Sequence, residues 1–113
     1  MSTDPLPIEI SCQDVAAMRS RGDEFLLVDC REPDEAAICR IEGAELLPMS
    51  TIADQLGAIA DRAAGRIVVH CHKGGRSLRV AQWLRDQGYH GAQSMAGGIE
   101  QWAADIEPGM PTY

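Results

Sequence analysis

The sequence predicts an α/β domain with a mostly parallel, five-stranded sheet that is flanked by helices on both faces. Short β-branched segments alternate with amphipathic helical patterns along nearly the whole chain, and right-handed crossovers join strands that come in this order. Continuous apolar runs within 25–29 and 66–70 are typical of strands buried on both faces. The 113 residues suffice for one hydrophobic core, so we expect a single domain.

The overall charge restricts the partners that this domain can have. Its formal net charge of −7 argues against nucleic acid and against anionic membrane surfaces. The amino end lacks a basic start followed by an apolar run, so no secretory signal is predicted. No apolar stretch reaches the length that spans a bilayer, and we expect no membrane partner.

The cysteines indicate a reducing compartment. None of the four falls in Cys-x-x-Cys spacing; they are Cys12, Cys30, Cys39 and Cys71. Free thiols in the cytoplasm are the simplest interpretation. The three histidines do not complete a metal-ligand pattern with these cysteines, so we predict no metal site.

The amino-terminal part of the chain is predicted to form a strand, a helix and a second strand. Residues 8–10 alternate as a short strand does. The pattern Ser-x-x-Asp at 11–14 caps a helix, which we expect to end at Gly22. Cys12 opens that helix and is predicted to be structural or exposed. The apolar run at 25–29 is the second strand.

The middle of the chain adds shorter elements. Residues 33–38 suit a short helix with a proline in its first turn, and 45–48 suit an edge strand that tolerates a proline. Apolar residues then recur at helical spacing and predict a helix with one core-facing stripe, which consists of Ile52, Leu56, Ile59 and Ala63.

The carboxyl-terminal half is predicted to hold the central strand and the last strand. Residues 66–70 form the central strand, and a loop and a helix follow it. Residues 92–95 form the last strand, and 97–102 turn into a final helix. Trp83 and Trp102 are expected in the core or at its rim, because large aromatic side chains gain most from burial.

The loop after the central strand carries the clearest functional signal. It spans residues 71–77, is called the Cys71 loop below, and reads Cys71-His72-Lys73-Gly74-Gly75-Arg76-Ser77. Its glycines let backbone N–H groups converge, and the N-terminus of the following helix favours negative charge. A cysteine at the start of such a loop is expected to be a stabilised thiolate. The pattern predicts a nucleophilic cysteine inside an anion-binding cradle.

This loop resembles the active-site loop of the rhodanese family of sulfurtransferases, Cys-x-x-Gly-x-Arg-Ser. The four defined positions are occupied by Cys71, Gly74, Arg76 and Ser77. In that family, the cysteine accepts a sulfane sulfur, becomes a persulfide and passes the sulfur to a nucleophile. The resemblance implies that Cys71 is the catalytic residue. It also implies a substrate-binding cradle made of His72, Lys73, Gly74, Gly75, Arg76 and Ser77.

Two further segments resemble the same family in the same order. Residues 29–33 are similar to its Asp-Val-Arg-Glu-Pro signature, with Cys30 in place of valine, and 97–102 carry its Gly-Gly and tryptophan. Asp29 and Arg31 are expected to support the site, either by tying loops together or by shaping the pocket. The resemblance covers about residues 7–112 and implies one rhodanese-like domain within 1–113.

One segment departs from the family pattern. Where the family usually reads Gly-His-Ile-Pro-Gly-Ala, this chain has Cys39, Arg40 and Glu42 at the first, second and fourth positions. These residues belong to the predicted pocket wall, so the substitutions bear on the choice of sulfur acceptor.

The resemblance implies a thiosulfate sulfurtransferase that needs no organic cofactor. A small anionic donor such as thiosulfate supplies the sulfur, and cyanide, a thiol or a protein accepts it. A sulfur carrier that exchanges sulfur between proteins, or a partner-binding module with little small-molecule turnover, is the alternative.

Phosphatase or arsenate-reductase chemistry is the nearest other reaction class. Related dual-specificity phosphatases use Cys-x5-Arg, whereas only four residues separate Cys71 from Arg76 here. The shorter loop favours a sulfur atom over a tetrahedral oxyanion.

Cys30 raises a separate hypothesis. If the strand at 25–29 lies beside the strand at 66–70, Cys30 and Cys71 meet at the same edge of the sheet. Cys30 is then either a buried spectator or a thiol that resolves an oxidised or persulfurated Cys71. A Cα separation above about 7 Å would exclude direct pairing.

Overall fold

The computed structural model describes residues 6–55, 57 and 65–113. Its elements alternate between strand and helix, as predicted. In chain order they are β1 (Glu9–Ile10), α1 (Cys12–Arg21), β2 (Leu26–Asp29), α2 (Pro33–Ile38), β3 (Glu45–Leu46), a 3-10 helix (Ile52–Gln55), β4 (Ile67–His70), α3 (Gly75–Asp86), β5 (Ala92–Met95) and α4 (Gly98–Asp105).

The five strands form one sheet in the order β1-β5-β4-β2-β3. Every neighbouring pair is parallel, so the predicted α/β class is confirmed and the sheet is parallel throughout. The strand β4 lies in the middle, between β5 and β2. All five strands end at one edge of the sheet, where functional groups gather in open α/β folds.

The predicted helix signals act as expected in α1. The Ser11 side chain accepts a hydrogen bond from the Asp14 backbone N–H at 3.0 Å and so satisfies a free donor of the first turn. Gly22 ends the helix in the left-handed region with φ +73°, where a residue without a Cβ is favoured. Cys12 is 1% exposed, so its role is structural and it is not a surface residue.

Two hydrophobic clusters cover the two faces of the sheet, which confirms the prediction of helices on both sides. One cluster packs α3 and the 3-10 helix against the sheet; its members include Val28, Cys30, Ile52, Val69, Cys71, Val80 and Leu84. The other packs α1 and α4 against the opposite face; its members include Cys12, Val15, Met18, Val68, Ile99 and Trp102. The alternation of neighbouring strand residues between the clusters follows from the two-residue period of a strand.

Two details refine the sequence predictions. The predicted helix over 52–63 begins as a 3-10 helix at Ile52–Gln55, and Leu56, Ile59 and Ala63 lie outside the described residues. Trp102 is a core residue, as expected, with 3% of its surface exposed. Trp83 is half-buried and packs against the edge of the core.

Within 6–55 and 65–113, no helix has both the length and the apolar character that are needed to cross a bilayer.

Candidate active site

The Cys71 loop follows the central strand and leads directly into α3. The Cys71 sulfur accepts backbone hydrogen bonds from Gly74 at 3.1 Å and from Ser77 at 3.4 Å. The Ser77 hydroxyl lies 3.4 Å from the same sulfur. Gly74 has φ +109°, and this left-handed turn brings its N–H back onto the sulfur. The loop therefore surrounds one buried sulfur atom with hydrogen-bond donors.

These donors favour the thiolate form of Cys71. The pKa of the Cys71 thiol is lowered, with a hydrogen bond from the Cys30 thiol as the largest cause. Burial works in the opposite direction, and the bonds from Ser77 and Gly74 add to the lowering. The N-terminus of α3 points at the sulfur and also favours negative charge. The prediction of a stabilised thiolate thus has a geometric basis.

A second serine supports the loop from the neighbouring strand. Ser94 in β5 is fully buried, and its hydroxyl oxygen lies 2.7 Å from that of Ser77. When Ser94 donates this bond, the Ser77 proton can point to the Gly74 carbonyl oxygen at 3.2 Å or to the Cys71 sulfur at 3.4 Å. Sequence reasoning missed Ser94, although a polar residue inside a strand that is buried at every position was a usable signal.

The N-terminus of α4 holds the loop backbone from behind. The N–H groups of Ile99 and Glu100 donate to the carbonyl oxygens of Cys71 and His72 at 2.9 and 3.0 Å. Gly98 has φ +60°, and a Cβ there would lie 2.6 Å from the Cys71 carbonyl oxygen. This close approach explains a glycine at the position, and it gives the Gly97-Gly98 motif a direct structural link to the nucleophile.

Arg76 joins the loop to α2 and does not point freely into the cradle. Its guanidinium forms a two-pronged ion pair with Glu35, at 2.7 and 2.8 Å. This pairing lowers the pKa of Glu35 to about 2. The sequence predicted Arg76 in the cradle but contained no signal for Glu35, because the position of Glu35 relative to the loop depends on how α2 packs.

The outer side of the loop is more open. The His72 ring stacks on Tyr113 with a centroid distance of 3.9 Å, and the Tyr113 hydroxyl donates to Glu35 at 2.8 Å. Lys73 and Gly75 are exposed. Tyr113 is a third residue that sequence reasoning missed, after Ser94 and Glu35, since it is far from the loop along the chain.

Asp29 and Arg31 tie the neighbouring loops together. Arg31 is fully buried, and its guanidinium donates to both Asp29 carboxylate oxygens, at 2.9 and 2.7 Å. It also donates to the Cys39 carbonyl oxygen at 2.7 Å and to the Tyr113 hydroxyl at 3.0 Å. The geometry favours the supporting role over direct contact with a substrate, because these partners occupy the guanidinium.

The described residues contain no cluster of three or more histidine, cysteine or acidic side chains that could hold a metal ion.

The fold and the loop together define a class: α/β domains with a thiolate held at the end of a central strand by a helix N-terminus. The rhodanese-like domain model matches residues 11–105, and the chain belongs to that family of sulfurtransferase-type domains. The family resemblance of the Cys71 loop is thereby confirmed.

Curated relatives agree with this placement. The chain is 34% identical to a sulfurtransferase of Allochromatium vinosum over 96 residues, which cover 84% of this chain and 87% of that protein. It is 34% identical to rhodanese-like/PpiC domain-containing protein 12, chloroplastic, of Arabidopsis thaliana, and covers 31% of it. It is 30% identical to adenylyltransferase and sulfurtransferase MOCS3-1 of Zea mays, and covers 24% of it. The chain thus spans a third or less of the latter two relatives.

Solved structures share the fold over nearly their whole length. The human single-domain sulfurtransferase TSTD1 has a TM-score of 0.72 and 27% identity, with 88% of this chain and 97% of that chain covered. A rhodanese-like domain protein of Staphylococcus aureus has a TM-score of 0.78 and 25% identity, with 95% of this chain and 99% of that chain covered. The rhodanese-like fold is therefore found in similar proteins of comparable length.

Proposed function

We propose that this protein moves a sulfane sulfur from thiosulfate, or from a similar small anionic donor, through a persulfide on Cys71 to cyanide or to a thiol acceptor. The observation that carries the proposal is the Cys71 sulfur itself, which lies at the N-terminus of α3 with backbone donors at 3.1 and 3.4 Å. Its lowered pKa supplies the thiolate that attacks sulfur.

In the first half-reaction, the Cys71 thiolate attacks the outer sulfur of thiosulfate. A new S–S bond forms, the S–S bond of thiosulfate breaks, and sulfite leaves with the bonding electron pair. The persulfide then carries its negative charge on the outer sulfur. The N–H groups of Gly75 and Arg76 have no acceptor within the helix, so they are available to stabilise that charge.

In the second half-reaction, an acceptor attacks the outer sulfur and restores the Cys71 thiolate. Lys73 is an exposed residue of the Cys71 loop, and its positive charge attracts an anionic donor or acceptor. This local attraction opposes the repulsion from the net negative charge of the domain. We assign substrate binding to residues 72–77, with Arg76 contributing its backbone N–H because its guanidinium is paired with Glu35, whereas Asp29 and Arg31 hold the surrounding loops. The reaction takes no organic cofactor and no metal.

The proposal places the protein in a reducing compartment such as the cytoplasm. All four cysteines are free and buried, and two of them lie in contact without a disulfide. Partners are a small sulfur donor and a small or protein acceptor, with no nucleic acid.

The test is sulfur loading followed by release. The purified protein is incubated with thiosulfate, its intact mass is taken, and cyanide is added. One added sulfur that disappears as thiocyanate forms, and that is absent from Cys71→Ser, supports the proposal. Cys12→Ser is the matched control, because Cys12 is as buried as Cys71 and packs on the opposite face of the sheet; it should load normally.

Other results would redirect the assignment. Sulfur loading without turnover by cyanide or small thiols favours the protein-to-protein carrier, and a search for a protein acceptor follows. Hydrolysis of phenyl phosphate with no sulfur loading would overturn the proposal in favour of phosphatase chemistry.

A further inference from the structure

The sheet register places a second cysteine beside the nucleophile. Asp29, the last residue of β2, pairs in register with His70, the last residue of β4. Cys30 and Cys71 directly follow these two residues along the chain. The Cys30 N–H donates to the His70 carbonyl oxygen at 3.0 Å, so the ladder continues to this point. Neighbouring strands lie about 4.8 Å apart. Cysteines whose Cα atoms are about 4.4 to 6.8 Å apart can form a disulfide, so the pair is within reach.

The two side chains also face the same side of the sheet. Cys30 and Cys71 belong to one core cluster, in which they are 0% and 1% exposed. Cys12 and Cys39 belong to the cluster on the opposite face. Cys30 is therefore the cysteine that the fold directs at the Cys71 sulfur, and the core shields it from external reagents.

Cys30 and Cys71 differ in how readily they ionise. The pKa of Cys30 is raised, first by its hydrogen bond to Cys71 and also by burial, while the same bond lowers the pKa of Cys71. Cys30 therefore stays a thiol and donates to the Cys71 thiolate. When Cys71 becomes a persulfide, the negative charge moves outward by one atom. The charge on Cys71 then repels a Cys30 thiolate less strongly, so Cys30 ionises more readily and its sulfur becomes available as a nucleophile.

We propose that Cys30 is a second functional thiol of this site, which attacks the inner sulfur of the Cys71 persulfide, forms a Cys30–Cys71 disulfide and releases hydrosulfide. This inference rests on the proposed function, because that function supplies the persulfide. The Cys30 S–H loses its proton to the leaving sulfur. One S–S bond breaks and another forms. The two cysteine sulfurs are oxidised, the sulfane sulfur is reduced, and no outside oxidant enters.

The inner sulfur of the persulfide is the Cys71 sulfur itself, which the strand register and the shared core cluster place beside Cys30. The loop holds this sulfur in place through the backbone donors of Gly74 and Ser77. Hydrosulfide is a weaker base than an alkyl thiolate, and disulfide exchange is faster with a weaker-base leaving group.

This step gives the protein a place in a reaction sequence. A reaction that produces sulfane sulfur must supply the substrate, and a reaction that uses free sulfide can consume the product. A dithiol reductant must reduce the disulfide before the next cycle. A competent acceptor that reaches the outer sulfur first would bypass Cys30 and preserve the sulfane sulfur.

The experiment forms the persulfide in two separate ways. One portion of the full chain receives thiosulfate and another receives inorganic polysulfide, without cyanide or thiol. Both are alkylated and analysed by non-reducing intact mass and peptide mapping, and hydrosulfide is measured in the thiosulfate portion. The variants are Cys30→Ser and Cys30→Val, of which the second introduces the family's usual residue and keeps an apolar side chain in the core. Cys12→Ser is the matched control.

The expected result is that the sulfur added to Cys71 at early times gives way, on longer incubation, to a Cys30–Cys71 disulfide in the wild-type chain and in Cys12→Ser, with one hydrosulfide released per chain. Both Cys30 variants should instead retain a cyanide-labile sulfur on Cys71 and release at least tenfold less hydrosulfide. A wild-type persulfide that persists without a disulfide would overturn the inference, as would a sulfur mapped to Cys30. Loading by polysulfide but not by thiosulfate would refute only the proposed donor, since the polysulfide portion still decides the role of Cys30.

Discussion

At the residue scale, the reactivity of this domain is concentrated in one buried sulfur. Cys71 is 1% exposed, yet its pKa is lowered, because hydrogen bonds to the anion outweigh the cost of burial. Cys12 shows the contrary case. Its sulfur faces only backbone carbonyl oxygens, at 3.6 and 3.8 Å, and burial raises its pKa to about 11. The residue type is the same, and the available donors decide which thiol ionises.

We expect iodoacetamide to alkylate Cys71 at a nearly constant rate between about pH 6 and pH 8, whereas an ordinary thiol slows about tenfold per pH unit in this range. Since the folded-state pKa is lowered, the thiolate persists as the pH falls. Ser77→Ala should raise the pKa and reduce the rate at pH 6 several-fold. Ser94→Ala should have a smaller effect in the same direction, because Ser94 acts through Ser77. An unchanged pH profile in Ser77→Ala would contradict the assignment.

At the element scale, helix termini and one ion pair hold the Cys71 loop in shape. The N-terminus of α3 faces the sulfur, and the N-terminus of α4 binds the loop carbonyl oxygens. The Glu35–Arg76 pair ties α2 to the start of α3. Each contact joins segments that are distant in sequence, so the loop conformation depends on how the elements pack.

We expect Gly98→Ala to destabilise the protein by more than Gly22→Ala. Both glycines have positive φ, which costs an alanine about 1–2 kcal/mol. Only the Gly98 Cβ would also clash, at 2.6 Å from the Cys71 carbonyl oxygen, whereas nothing lies within 4 Å of a Cβ at Gly22. Urea unfolding compares the two variants, and persulfide formation should fall only in Gly98→Ala. Equal losses of stability would show that the close approach is unimportant.

The Glu35–Arg76 pair predicts a pH dependence of stability. The pKa of Glu35 falls from 4.5 to about 2 on folding, with the Arg76 hydrogen bonds as the first cause. The ionised pair therefore stabilises the fold above about pH 4.5, and this contribution is lost as the pH falls towards about 2. Near pH 6, the wild-type protein should have a higher thermal unfolding midpoint than Glu35→Gln. The difference between the two midpoints should shrink as the pH falls. Glu24→Gln, which removes an exposed carboxylate, is the control; the same shrinkage there would refute the assignment.

At the scale of the whole molecule, a parallel sheet buried on both faces supports the site. The central strand β4 alternates its side chains between the two clusters, so Val68 and Val69 are both fully buried although they face opposite sides. The Cys71 loop directly follows this strand. A central strand that is buried on both faces thus positions the nucleophile.

Truncation of the core should therefore cost stability across the whole domain. Leu84 in α3 is fully buried, and Leu84→Ala should lower the free energy of unfolding by about 2–5 kcal/mol. Ile38 is 46% exposed, and Ile38→Ala should change it by less than about 1 kcal/mol. Urea unfolding at neutral pH measures both. A small effect of Leu84→Ala would mean that the α3 face contributes little to the core.

The sequence by itself determined the order of the elements, the parallel sheet and the nucleophile loop. These features depend on local patterns: apolar runs for β2 and β4, the Ser11 cap, and a cysteine followed by glycines before a helix. Such signals act within a few residues of the chain, so they can be recognised without a structure.

Only the tertiary structure decided which distant residues complete the site. Glu35, Ser94 and Tyr113 reach the loop from α2, β5 and the carboxyl-terminal segment. A polar residue within a strand singles out Ser94 but does not identify its partner, and no local pattern singles out Glu35 or Tyr113. The packing of α2 sets the distance between Arg76 and Glu35. The register of β2 on β4 places Cys30 beside Cys71. Hydrogen bonds act over a few ångströms in space, and the positions that bring these groups together follow from the packing of the whole domain.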